Sequence, residues 1–273
     1  MDPRDYTDPS CPFDASAWRG NRAQETPKAH LSLAPILAKY DACMARGDKA
    51  EAGKILEDAL ALAREVGDLS SVLSIQSERM GYFRQAGQPE RGLEAVEEGF
   101  RLLAQLGLEG TATAGTILVN GATALSAAGQ PEKALRYYEQ AFRTFGQTIP
   151  PEDLRFAALF NNMAAAYAAA GKPEQAARYY RGALAVLAHY PENPDAAVTH
   201  INLAQLYAPS DREKAEEELS LALEALDSPE IIWNEYYAYT CLKCASAFAE
   251  FGMTAEVQEM QERAEIIHEH AGN

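Results

Sequence analysis

The sequence predicts an all-α fold, an α-solenoid coiled as a right-handed superhelix of about six helix pairs, on three observations. One phrase recurs at a fixed interval, apolar residues on both sides of it keep helical spacing, and no segment shows the alternation of a half-buried strand. The phrase reads GQPERGLEAVEEGF from Gly87, GQPEKALRYYEQAF from Gly129 and GKPEQAARYYRGAL from Gly171, each 42 residues after the one before. The same frame runs back to GDKAEAGKILEDAL at Gly47 and forward to DREKAEEELSLAL near Asp211 and GMTAEVQEMQERA at Gly252, at intervals of 40 to 42 residues.

Taken in order, the frame divides residues 31–273 into units near 31–69, 70–111, 112–153, 154–193, 194–232 and 233–270. Each is read as two helices around a turn: Gly47-Asp48 in the first unit, Gly-x-Pro-Glu in the second, third and fourth, Ala208 to Glu213 in the fifth, and Gly252 in the sixth. In the third unit, Ile117, Leu118, Gly121, Ala122 and Leu125 form the buried stripe of the first helix, and Ala134, Leu135, Tyr138, Ala141 and Phe142 that of the second. Gly129 supplies the left-handed residue that ends one helix, and Pro131 opens the next, where its missing N–H costs nothing. Connections between units fall at Gly107 to Gly115, Gln147 to Asp153 and Tyr190 to Asp195, all rich in Gly, Pro or acidic residues. Residues 1–30, with Pro3, Pro9, Pro12 and Pro27, stand outside the frame as an N-terminal arm, irregular or capping.

These residues resemble the tetratricopeptide repeat family, whose unit is a helix pair with a small residue at its eighth position, Gly near the turn, and Ala at its twentieth and twenty-seventh. Here those positions hold Ala122, Gly129, Ala134 and Ala141, then Ala164, Gly171, Ala176 and Ala183. Gly92 and Gly99 replace both alanines in the second unit, Val257 replaces the first in the last, and the fifth turn is a residue short. The interval of 40 to 42 residues, longer than the usual 34 or so, is similar to that of kinesin light chains and of the spindle-orientation scaffolds related to Pins.

The resemblance implies that the first helix of each pair lines a concave face, its second, fifth, sixth, ninth and twelfth positions pointing inward. The sixth position then holds Ala38, Glu78, Asn120, Asn162, Asn202 and Lys243, three of the chain's eight asparagines in one column. An Asn amide both donates and accepts, so it can bond a passing peptide unit without reading its side chain. Neighbouring helices about 8 to 10 Å apart would meet an extended ligand roughly every third residue. The relatives use a similar asparagine ladder on peptide backbones. Flanking contacts are expected from Asn161, Thr116, Thr123 and Gln205, with room left by Ala158, Ala165 and Ala168. Arg84 and Lys243 offer carboxylate contacts, and Tyr239 a stacking surface.

Charge narrows the partners. With 24 Lys and Arg against 40 Asp and Glu, the net charge is −16, which argues against nucleic acid and anionic membrane surfaces. Residues 211–273 hold 15 acidic and four basic side chains, read as solvated second-helix faces or as an attraction for a basic partner. Met-Asp-Pro-Arg-Asp at the start lacks a secretory pattern, Met163 to Ala170 is too short to span a membrane, and four cysteines suit a reducing compartment, so a cytoplasmic location is expected.

Catalytic motifs are discounted one by one. Cys241-Leu-Lys-Cys244 has CxxC spacing, yet both cysteines occupy packing positions of the repeat and no second pair completes a zinc site. GDKAEAGK from Gly47 mimics a phosphate loop but has five residues between its glycines and Ile55 where Ser or Thr is needed. His268-Glu-His270 lies at the polar C-terminus without further ligands, and GxSxG and HExxH do not occur. The expectation is a noncatalytic, cytoplasmic interaction scaffold, without cofactor or metal, that binds an extended segment of a protein partner in its groove. Alternatives are a peptide sensor resembling the peptide-pheromone receptors of Gram-positive bacteria, or a module that dimerises through Val257, Met260, Ala264 and Ile267.

Overall fold

Pairs of antiparallel helices follow one another through the computed structural model, which describes residues 30–271; the N-terminal arm lies almost wholly outside these. The first helices of the pairs are α1 (Ala34–Ala45), α3 (Leu69–Gln85), α5 (Ala112–Ala127), α7 (Leu154–Ala169), α9 (Asp195–Tyr207) and α11 (Glu235–Glu250). The second helices are α2 (Lys49–Val66), α4 (Pro89–Leu106), α6 (Pro131–Thr148), α8 (Pro173–Leu187), α10 (Arg212–Leu226) and α12 (Thr254–Ala271). Among the described residues no strand occurs, and each first helix packs on the second helix that follows it. The fold is an all-α helical repeat solenoid.

The turn chemistry repeats with the sequence. Gly87, Gly129 and Gly171 adopt φ of 68°, 75° and 71°, and the residue after each returns its N–H to a carbonyl of the preceding helix, as Gln130 does to Leu125 at 2.9 Å. Pro89, Pro131 and Pro173 then open the second helix at its first position. Where the phrase is missing, a side chain serves instead: Asp48, Asp68, Thr111, Asp211 and Asn234 each accept a backbone N–H at a helix start.

Ala122, Ala134, Ala141, Ala164, Ala176 and Ala183 are fully buried, so small residues let the paired helices approach closely. Gly99, which stands in for the second alanine in unit two, leaves the space that buried Met80 fills; a Cβ there would lie 2.6 Å from its methyl. Gly121 likewise makes room for the ring of Phe100. One expectation needs correction: Phe142 is 45% exposed and lies at the edge of the α6 stripe rather than within it. Val257, Met260, Ala264 and Ile267 pack inward on one core with Tyr237, Cys241 and Phe248 of α11.

The chain divides into two compact units at Pro150–Pro151, within the expected Gln147 to Asp153 connection, where two successive prolines supply no N–H donors. In the N-terminal unit α2 packs on α3 and α4 on α5, carrying one pair to the next. In the C-terminal unit α8 packs on α9 and α9 meets α11, around a core that includes Ala197, Ile201, Leu219, Tyr237 and Phe248.

Candidate functional site

First helices carry the polar residues of interest, because the second helices spend their apolar stripes on closing each pair. In the C-terminal unit, Asn162 of α7 and Asn202 of α9 share one register. Each is more than nine-tenths buried, at 8% and 7% exposure, and neither amide makes a side-chain hydrogen bond among the described residues. Neither amide is among the fully buried polar atoms that lack a partner, so each reaches the surface from a residue that is otherwise buried.

Neighbouring residues are committed elsewhere. Asn161 donates from Nδ2 to Thr199 Oγ1 at 3.0 Å and accepts from the same hydroxyl at 3.1 Å, a cross-tie between α7 and α9 rather than a flanking contact. Gln205 donates to Glu250 on α11 at 3.0 Å. Lys243, expected as a contact for a ligand carboxylate, has its ammonium buried, with the Asp195 carboxyl within electrostatic reach. Burial pushes that carboxyl up to about 6, while a hydrogen bond from Tyr236 and the charge of Lys243 act the other way. Tyr239 is half-buried on α11. Cys241 and Cys244 sit in the core, where burial raises their thiols to about 11 and about 12, far from reactive thiolates.

In the N-terminal unit, Asn120 of α5 is half-buried and donates to Ser77 Oγ of α3 at 2.9 Å, leaving its carbonyl oxygen without a bond among the described residues. Thr123 is turned away from the first-helix face: its hydroxyl bonds the Val119 carbonyl and the Tyr138 hydroxyl, both at 2.9 Å. Arg84 is half-buried, its charge felt by Tyr40 and Tyr138. One group escaped sequence reasoning. Glu78, which the frame places in the asparagine column, is held up at about 7 by burial and by the charge of Asp41 on α1, and it faces Tyr40. Its signal was an acidic residue in a column of amides.

The tetratricopeptide repeat profile matches residues 115–151 and, in a second form, residues 155–228. These two stretches are tetratricopeptide repeats. Solved structures agree on the fold. The nearly identical TPR-like repeats of a Podosopora anserina chain described as a kinesin light chain are 22% identical, covering 73% of this chain and 96% of that one with a TM-score of 0.53. BtubC (BKLC) from P. vanneervenii is 18% identical, covering 84% of this chain and 92% of that one, also at 0.53. No curated protein matches the sequence. The tetratricopeptide repeats matched here contain Asn120, Asn162 and Asn202, and no helix among the described residues is long and apolar enough to cross a membrane.

Proposed function

We propose that this protein is a noncatalytic scaffold that holds an extended segment of a protein partner against its first-helix faces. Tetratricopeptide repeats are protein–protein interaction modules, and the finer assignment is supported by one observation: Asn162 and Asn202 share one repeat register, and their amides reach the surface without a side-chain hydrogen bond among the described residues. A peptide backbone matches both amides, since each peptide unit presents one acceptor and one donor. Free thiols at Cys43, Cys241 and Cys244 suit a reducing compartment, the cytoplasm.

The test compares wild type with the Asn162→Ala, Asn202→Ala double variant in quantitative mass spectrometry of lysate pull-downs, after matched melting curves. Partners should fall at least tenfold with the variant, since each lost amide leaves peptide groups unpaired at about 1 to 2 kcal/mol. Equal recovery would return these amides to a structural role.

A further inference from the structure

A groove of about 460 Å³ lies between α11 and α12, lined by Leu242 of α11 and by Gln261, Ala264, Glu265, His268 and Glu269 of α12. The α12 residues follow the spacing of a single helix face, three and four apart in turn. Leu242 is 43% exposed beside them.

Both sides of the groove occupy registers that earlier pairs use for stacking. Ser77 of α3, Asn161 of α7 and Ile201 of α9 stand where Leu242 stands in α11, and all three are buried against the next first helix. Ser77 accepts a hydrogen bond from Asn120 of α5, Asn161 bonds Thr199 of α9, and Ile201 shares a core with Tyr237 and Cys241 of α11. Among the described residues no later helix covers Leu242. On α12, Gln261 and His268 hold the places of Tyr138 and Phe145 in α6 and of Tyr180 and Leu187 in α8, all buried. A permanent stacking face would keep those large apolar groups. An apolar floor of Leu242 and Ala264 inside a polar rim is instead the make-up of a surface that exchanges its partner.

Charge selects the partner's chemistry. Glu265 and Glu269 are exposed on the groove, and His268 faces Glu235 at 3.4 Å. The four basic residues of 211–273 are already engaged with carboxylates: Arg212 with Glu216 at 2.8 Å, Lys214 with Asp211 at 2.5 Å, Arg263 with Asp227 at 2.5 Å, and Lys243 near Asp195. A second copy of the chain would set the groove's carboxylates against their own kind, so the complement is a basic surface of another protein. Helices fill this register in the earlier pairs, and the small Ala264 at the centre permits the same close approach.

We propose that the groove between α11 and α12 binds an amphipathic helix of a protein partner, with its apolar stripe on Leu242 and Ala264 and its bordering lysines or arginines on Glu265 and Glu269. This surface is separate from the asparagine register and does not depend on it.

The experiment is an NMR titration of the full 15N-labelled chain, at physiological ionic strength, with the acetylated and amidated peptide KLAKKLLKKLAKKL. Saturable shifts are expected at the amides of Leu242, Gln261, Ala264 and Glu265. The acidic counterpart ELAEELLEELAEEL should give none, and KSAKKSSKKSAKKS, which keeps the charge and loses the apolar stripe, should bind about tenfold more weakly. Leu242→Ser, at an exposed position, should weaken binding of the first peptide about fivefold, and the Glu265→Gln, Glu269→Gln double variant by a similar factor. Binding of the serine peptide as tight as that of the leucine peptide, shifts spread over the acidic surface without saturation, or full affinity in both variants would overturn the assignment. So would a dimer in sedimentation velocity that Leu242→Ser abolishes, since the groove would then take a second copy. The Asn162→Ala, Asn202→Ala double variant should bind the first peptide undiminished, which keeps this surface distinct from the clamp.

Discussion

Glu78 illustrates how a single residue can be legible in position and illegible in chemistry. The repeat frame puts it in the asparagine column, but its proton affinity depends on Asp41, which is 37 residues away in sequence and beside it in the fold. Its pKa is raised from 4.5 in the unfolded chain to about 7 in the folded one. Between those values the native state holds a proton that the unfolded state has released, so stability falls as the pH rises through this window. Above pH 7 the buried charge is present in full. Glu78→Gln is therefore expected to stabilise the protein by about 1 to 3 kcal/mol at pH 8 and to do nothing of the kind below pH 4.5; urea unfolding at the two pH values measures it. A gain of equal size at both would show that charge is not the cause.

At the level of elements, the helices and turns follow from short-range rules. Gly129 and Pro131 set a turn because one adopts positive φ and the other needs no N–H, and these properties belong to the residues wherever they stand. Which face a helix presents is less local. Asn161 and Asn162 are adjacent and chemically identical, and only the packing of α7 on α9 commits the first to Thr199 and leaves the second unbonded. Thr123 was a plausible flanking contact until α6 brought Tyr138 within 2.9 Å of its hydroxyl. Close approach is testable at Gly121, where a Cβ would lie 2.5 Å from the Phe100 ring. Gly121→Ala adds helix propensity but forces α4 and α5 apart, and a net loss of about 1 to 3 kcal/mol is expected in thermal unfolding. A rise in melting temperature would show that the Phe100 ring moves aside at little cost.

For the whole molecule, charge rather than packing dominates encounters at a distance. A chain with net charge −16 attracts basic segments over roughly a Debye length of 8 to 10 Å at ordinary ionic strength. Association with a lysine- or arginine-containing segment of the partner should slow by about tenfold as salt rises from about 0.05 to 0.5 M. Stopped-flow fluorescence provides the measurement. An association rate indifferent to salt would remove electrostatic attraction from the account.

The sequence by itself determined the helix pairs, their turns and the register that aligns Asn120, Asn162 and Asn202, because a repeat whose units bury the same stripe must place equivalent residues in equivalent surroundings. It also determined that the chain is acidic and that Cys241 and Cys244 stand at packing positions. Tertiary structure alone decided which of these equivalent polar residues keep an open hydrogen bond. Asn120 is tied to Ser77, Lys243 is buried near Asp195, and the amides of Asn162 and Asn202 make no side-chain hydrogen bond among the described residues. It decided, too, that Glu78 lies near Asp41, whose charge together with burial raises its proton affinity. The physical reason is that periodicity fixes the direction of a side chain relative to its own helix, whereas hydrogen bonding and proton affinity depend on atoms that only packing brings near.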